Sequence, residues 1–331
     1  MAKNQEKKSF FESPVGSFLL QNKALAILVV FMISVACISP IFLTPSNLLN
    51  LIRQIAYSAI LGAGYTMILS SGHIDLSIGC EVGLVGVIMG KALVADLPIP
   101  VAILIGLVSA VLLSSLNAVL INLLDLPPFI ITLATMNVFK GACYIYTKMV
   151  PVSNLPAAFN AIGQDYTFGI PNQVYIMVFM MLVIAFILYK TKFGRYSLAI
   201  GGNAEAARLS GINVKMMRIG IYALMGLYVG VAAMTLTARS ASAQVSAGQN
   251  TEMDAIAAVV MGGTPMSGGS ANVVGTFFGC LIVGVINNGL NLMGVDSNWQ
   301  LVAKGLMILF AISLDVISTN VTRNMSKKKM A

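Results

Sequence analysis

The sequence is short of charge. Asp, Glu, Lys and Arg make up 10% of its 331 residues, where a soluble domain carries about 25%. So few charges cannot clothe a water-facing surface. With 57% hydrophobic residues and 30 glycines besides, an ordinary soluble globule and a disordered chain are both excluded. Cysteine is scarce too. Cys37, Cys80, Cys143 and Cys280 all lie in apolar stretches without metal-ligand spacing, so they read as small core residues rather than a disulfide scaffold or a metal site. His73 is the only histidine and has no second imidazole with which to hold a metal. No Gly-x4-Gly-Lys-Ser/Thr loop is present. Gly90-Lys91 comes nearest and lacks both the upstream glycine and the following hydroxyl, so the chain supplies no nucleotide site of its own. No cofactor is expected. The absence of a convergent nucleophile or ligand set argues against an intramembrane enzyme. What stands is a polytopic membrane protein.

The charge that is present is unevenly placed. The net +8 comes from three segments. Residues 1–23 carry Lys3, Lys7, Lys8 and Lys23 against Glu6 and Glu12. Residues 189–218 carry Lys190, Lys192, Arg195, Arg208, Lys215 and Arg218 against Glu205. Residues 318–331 carry Arg323, Lys327, Lys328 and Lys329 against nothing. These contribute +2, +5 and +4, and everything else contributes −3. A nucleic-acid surface would not be confined to two ends and one middle loop, so nucleic acid is not an expected partner. Lys and Arg collect in cytoplasmic loops of membrane proteins, which puts both tails and the middle loop on the cytoplasmic side.

Termini on one side require an even number of spans. A span needs ~20 mostly apolar residues. Ala24–Phe42, Ile55–Leu69, Ser77–Leu93, Ile99–Leu124, Phe129–Tyr146 and Val174–Leu188 precede the basic loop. Ile219–Ala238, Ala255–Met266, Gly275–Met293 and Trp299–Ile317 follow it. Hydropathy and charge therefore agree on an all-α bundle of about ten spans, one transmembrane domain over 1–331, with both termini cytoplasmic. Ala255–Met266 is too short for an ordinary spanning helix and reads as broken. The first apolar run has no small-x-small cleavage site after it, so it is expected to be a retained span. Residues 147–173, on the expected outer side, hold Pro151, Pro156, Gly163, Gly169 and Pro171 and predict irregular backbone or short pieces of structure. Gly86/Gly90, Gly226/Gly230 and Gly275/Gly279 have a four-residue spacing that permits close helix packing.

Two kinds of motif carry functional information. The middle loop contains Asn203-Ala204-Glu205-Ala206-Ala207-Arg208-Leu209-Ser210-Gly211. Asn203 predicts an N-cap, Glu205 suits the first turn, and Gly211 suits a stop. The product is a short capped helix, either an ordinary loop helix or a docking knob. The second kind interrupts apolar runs. Ser71-Gly72-His73-Ile74-Asp75-Leu76-Ser77-Ile78-Gly79 brings ionisable groups, with Glu81 close behind, to membrane depth. Met261-Gly262-Gly263-Thr264-Pro265-Met266-Ser267-Gly268-Gly269 has similar glycine and serine spacing and reads as the matching half of an internal repeat. Such breaks mark a transport pathway or a structural turn in which Asp75 caps the next helix. Asn117, Asn122, Thr132, Asn137, Lys140, Asn287, Asn288, Asn291, Gln300 and Lys304 also fall within spans, where polar groups bond helices together as readily as they line a pathway. From this set the candidate pathway residues are Asp75, Ser77, Glu81, Thr132, Asn137, Asn287 and Asn288. Lys140 and Lys304 are expected to pair with carboxylates such as Asp315.

Glu205-Ala206-Ala207 with Gly211 six residues after the glutamate resembles the EAA-type motif of ABC importer permeases. The run from Phe193-Gly194-Arg195-Tyr196 to Asn213-Val214, Pro128-Phe129-Ile130-Ile131-Thr132-Leu133 and the two glycine-rich interruptions are together similar to the permeases for ribose, xylose, galactose and autoinducer-2. His73 stands where that family usually has glycine. The resemblance implies a coupling helix whose contact residues are Asn203, Glu205, Ala206, Ala207, Arg208 and Gly211. It also implies cytoplasmic ATP-binding subunits, an extracytoplasmic solute-binding protein docking on outer loops, a second permease copy or relative, a sugar substrate and the bacterial cytoplasmic membrane. Two alternatives stay open. One is an ion-coupled secondary transporter using Asp75, Glu81 or Asp254; the other is a nucleoside importer permease.

Overall fold

The computed structural model describes residues 23–296 together with 298–303, 305, 306, 309 and 313. Residues 1–22 and 318–331, Lys304, Asp315 and most of the expected last span lie outside the described residues. The chain is a bundle of helices: α1 Lys23–Ile38, α2 Pro45–Ser70, α3 Ile78–Val94, α4 Ile99–Leu124, α5 Pro128–Thr147, α6 Ala157–Gln164, α7 Asn172–Lys190, α8 Lys192–Gly202, α9 Ala204–Leu209, α10 Val214–Ser240, α11 Thr251–Met261 and α12 Val273–Leu292. Strands β1 Tyr166–Thr167 and β2 Ile170–Pro171 form a small antiparallel hairpin between α6 and α7. Among the described residues, α4, α5, α7, α10 and α12 are long and apolar enough to cross a bilayer. They keep large apolar side chains such as Leu104, Leu112, Val138, Phe179 and Leu182 exposed. Water would not tolerate such faces, but acyl chains do. The protein is an integral helical membrane protein.

The bundle is organised around α2. Thr44 caps it by accepting the Asn47 N–H, and Pro45 occupies its first turn. From Ala59 to Ser70 every residue is buried, as expected of a helix that is apolar on all sides and sits in the middle of a core. Gly62 and Gly64 make room on opposite sides, for Cys280 and Thr276 of α12 and for Tyr228 and Met225 of α10. Thr66 and Thr276 share a hydroxyl–hydroxyl bond of 2.8 Å. The sequence predicted only Ile55–Leu69 here. The first ten residues were hidden because Arg53 and Gln54 break the apolar run, and the structure meets that cost by tertiary means. Arg53 donates to the Gly163 carbonyl at 3.1 Å and lies 5.9 Å from the centre of the Tyr166 ring.

Backbone contacts sort the helix ends. Gly72, Gly201 and Gly268 meet at one end. Val152 and Ala243 form a β-bridge at the other, where Gly163 also packs on Arg239. Of the helices of 17 residues or more, four separate Gly72 from Gly201 (α3, α4, α5 and α7), three separate it from Val152, and α10 separates Gly201 from Ala243. Each parity fits helices that alternate direction. Short α11, eleven residues long, is completed by the irregular run before it: Ala243, Ala247 and Gly248 climb along α3, packing on Gly90, Gly83 and Gly79. The expected irregular outer segment 147–173 is partly ordered, as α6 and the hairpin. The basic loop is largely helical, as α8 and α9. Cys80, Cys143 and Cys280 are buried, but Cys37 is exposed on α1, which corrects its assignment as a core residue.

The paired glycines pack inside the chain. A Cβ on Gly226 would strike the backbone of Ala110 and Val111, one on Gly230 would strike Leu107, and one on Gly279 would strike the Ala258 carbonyl. Gly141 of α5, by contrast, has nothing within 4 Å of its would-be Cβ. Gly279→Ala is therefore expected to destabilise the chain by about 1–3 kcal/mol through overpacking. Gly141→Ala should be neutral or stabilising by up to about 1 kcal/mol from helix propensity. Thermal melts of the two variants in one detergent check the contrast.

Candidate functional site

The first interruption is held by side chains from four helices. Asp75 is fully buried. Its Oδ1 accepts from the Ser77 N–H at 2.8 Å and the Ser77 hydroxyl at 2.7 Å, an Asx turn that starts α3. Ser77 Oγ in turn accepts from the Asn117 amide of α4 at 2.8 Å. One turn earlier on α4, Ser114 donates its hydroxyl to the Glu81 carboxylate, 2.8 and 2.9 Å from its two oxygens. The Asp75 N–H donates to Tyr65 Oη of α2 at 3.1 Å, and the Leu76 N–H donates to Thr132 Oγ1 of α5 at 3.1 Å. Irregular backbone survives at membrane depth only when protein satisfies it, and Tyr65, Thr132 and the Asp75 carboxylate do that here for three successive N–H groups.

The second interruption has the same local construction. After α2, Gly72 sits at φ +79°, its N–H bonded to Leu69 O and the His73 N–H to Ile68 O. After α11, Gly263 sits at φ +88°, its N–H bonded to Val260 O and the Thr264 N–H to Val259 O. Both are Schellman ends with glycine in the left-handed region. His73 is not at positive φ, so a histidine is tolerated at a position next to the turn rather than in it.

The two interruptions touch each other and α8. Gly269 N–H donates to the Ser70 carbonyl at 2.8 Å. A Cβ on Gly201 would collide with Ser70 O, and one on Gly268 would lie 2.7 Å from Gly72 N and 2.9 Å from Gly201 O. Tyr189 Oη, at the end of α7, accepts from the Val273 N–H at 3.0 Å and lies 3.2 Å from Ala271 O. Directly after Gly201–Gly202 comes α9. Asn203 Oδ1 caps it by accepting the Ala206 N–H at 2.9 Å, and Gly211 at φ +87° closes it. Glu205 and Arg208 form an exposed ion pair at 2.6 Å, and Arg208 holds the Glu205 carboxyl below its usual range. Ala206 is exposed, but Ala207 is buried within the chain. The expectation that both alanines face a partner therefore changes. The outward face is Glu205, Ala206, Arg208 and Leu209, the last 76% exposed.

The seven pathway candidates fall in separate places. Asp75, Ser77, Glu81 and Thr132 share the network above. Asn288 is buried and exchanges amide bonds with Asn47 at 3.0 and 3.1 Å. Asn137 points outward from α5 and bonds back to Leu133 O at 3.0 Å. Asn287 alone lines a cavity of about 170 Å³ between α2, α11 and α12. Its other polar walls are Gln54, Tyr57, Ser58, Asp254, Asn291 and Gln300. Sequence reasoning missed Gln54, Tyr57 and Ser58, although their i, i+3, i+4 spacing marks one helix face. Lys140 lies 5.9 Å from the centre of the Tyr144 ring. Among the described residues no group of three metal-ligating side chains occurs.

Residues 47–312 match the family model described as "Branched-chain amino acid transport system / permease component". The ribose import permease protein RbsC of Bacillus subtilis is 43% identical over 290 residues, 87% of this chain and 90% of the relative. That of Escherichia coli K12 is 37% identical over 303 residues, covering 90% and 94%. The xylose transport system permease protein XylH of Escherichia coli K12 is 32% identical over 339 aligned positions, covering 83% and 86%. No solved structure matches the chain. The chain belongs to this permease family, as a non-catalytic membrane subunit of an ABC importer of the ribose and xylose kind.

Proposed function

We propose that the chain carries a monosaccharide, ribose or a closely related pentose, across the bacterial cytoplasmic membrane. The observation that carries this is the 43% identity to a ribose import permease over nearly the whole length of both chains. The family model's description names branched-chain amino acids. The cavity sets amides and hydroxyls beside apolar Ile55, Ala258 and Val283, a mixed wall that suits the hydroxyls and the C–H face of a sugar. Ten spans with cytoplasmic termini are supported by the alternating helix ends and by the basic residues of 189–218, which lie at the Gly72–Gly201–Gly268 end. That end then faces the cytoplasm, and α9 is the coupling helix that meets an ATP-binding subunit. Two permease chains, homologous or identical, enclose the route, and an extracytoplasmic solute-binding protein delivers the sugar. Asn287, with Gln54, Ser58 and Asn291, belongs to the wall that the sugar passes. Asp75, Ser77, Glu81 and Thr132 hold the interruption that positions α3.

Reconstitution with the ATP-binding and solute-binding partners tests the reading directly. Labelled ribose is expected to accumulate only with ATP inside the compartment that holds the ATPase, and labelled leucine not at all. Accumulation by this chain alone under an ion gradient would overturn it. On α9, Leu209→Glu is expected to weaken association with the ATP-binding subunit by about tenfold or more, the scale of an interface hot spot, and leave the melting temperature of the isolated chain unchanged. Ala207→Trp should do the reverse in the first instance, lowering the melting temperature because its side chain points inward. In the cavity, Asn287→Leu combined with Gln54→Leu is expected to lower uptake by roughly tenfold, as expected for lost hydrogen bonds to a polar solute. Asn137→Leu, on an outward face, should keep uptake within about twofold of the parent.

A further inference from the structure

The outer end of the bundle carries a feature that transport does not explain. Phe168, at the tip of the β1–β2 hairpin, is 96% exposed and sits at φ +51° beside Gly169 at φ +78°. Tyr166 and Ile170 flank it and are also exposed, and residues 166–171 carry no charge. The hairpin is not a loose loop. Tyr166 pairs with Pro171 and Thr167 with Ile170, the Thr167 hydroxyl bonds Asn172 Oδ1 at 2.7 Å, and Arg53 lies under the Tyr166 ring. A tip so firmly held, with an aromatic side chain fully outside, is unfavourable in water.

Its direction is set by α7. Tyr175 donates its hydroxyl to the Thr167 carbonyl at 2.9 Å. Tyr175 is also the first residue of an exposed apolar stripe that continues through Val178, Phe179, Leu182 and Phe186 at helical spacing. The bond therefore folds the hairpin over the face of α7 that meets acyl chains, at the end of the bundle remote from α9. Aromatic side chains with adjoining polar groups collect where a bilayer meets water. We propose that the hairpin, through Phe168 with Tyr166 and Ile170, is a lipid anchor. It seats in the headgroup–acyl boundary of the outer leaflet and fixes the depth of α7. The outer segment 147–173 thereby divides: the hairpin meets lipid, and only the remainder is available to a soluble partner.

The chain's single tryptophan, Trp299, makes a clean test. The full chain bearing Phe168→Trp and Trp299→Phe is assembled with its importer partners in phosphatidylethanolamine–phosphatidylglycerol vesicles doped with phosphatidylcholine brominated near the headgroup end of its acyl chains. The brominated lipid is expected to remove most of the emission, phosphatidylcholine brominated near the chain ends less, and aqueous iodide little. Strong loss to iodide with little to brominated lipid would place the tip in water and overturn the proposal. Insensitivity to both quenchers would bury it in a protein contact and overturn it equally. Should Trp299→Phe prevent assembly, the same losses are read as the difference between Phe168→Trp and the parent, with Trp299 kept in both.

Discussion

Everything at the α9 end depends on the backbone being bare where three segments cross. Ser70 O receives the Gly269 N–H, and Gly72, Gly201 and Gly268 approach so closely that no Cβ fits at Gly201 or Gly268. Side chains are compliant, because rotamers can absorb a displacement. Backbone pressed on backbone cannot, and packed interiors transmit strain for that reason. The junction ties the end of α2, the turn after α11 and the end of α8 into one rigid point. α9 begins three residues after Gly201, at Ala204.

Such a junction needs two supports. One is local: the Schellman ends at Gly72 and Gly263 release the chain from α2 and α11 with their terminal carbonyls satisfied. The other is tertiary. Asp75, Ser77 and Asn117 bond one another and the start of α3, and Ser114 bonds Glu81, although Asp75 Oδ2 and Asn117 Oδ1 are left without a hydrogen-bond partner among the described residues. Leaving the bonded groups unsatisfied in a bilayer interior would cost several kcal/mol each. The polar residues that interrupt the apolar pattern are thus what allows α3 to start inside the bundle, where its glycine face can take the run from Ala243 to Gly248.

What the sequence made legible follows from how local each cause is. Ile99–Leu124 is one long run without a charge, bounded by Asp96 and Asp125, and was read to the residue. Asn203 and Gly211 act within their own turn, so both ends of α9 were visible in advance. The facing of Ala206 and Ala207 was not, because a six-residue helix has too few turns to show a periodicity. The length of α2 was obscured by Arg53, whose partners Gly163 and Tyr166 lie more than a hundred positions away. The asparagines show the same limit. Asn137, Asn287 and Asn288 look alike in sequence, yet one faces outward, one lines a cavity, and one is paired with Asn47 across 241 positions.

The placement of the cavity relative to the junction completes the physical argument. α2 contributes to both: Gln54, Tyr57 and Ser58 near one end wall the cavity, and Ser70 and Gly72 at the other end meet Gly201 and Gly268. α11 does the same, with Asp254 at the cavity and Gly262–Gly263 leading into the junction. From Ser58 to Ser70 is about 18 Å of continuous, fully enclosed helix, with no proline to absorb a bend. If α9 meets the ATP-binding subunit as proposed, a displacement imposed on it would reach the cavity as movement of whole helices. Two helices fixed to one rigid glycine junction would need no chain of side-chain rearrangements between the two sites. That continuity of rigid elements is what the proposed coupling requires of the fold.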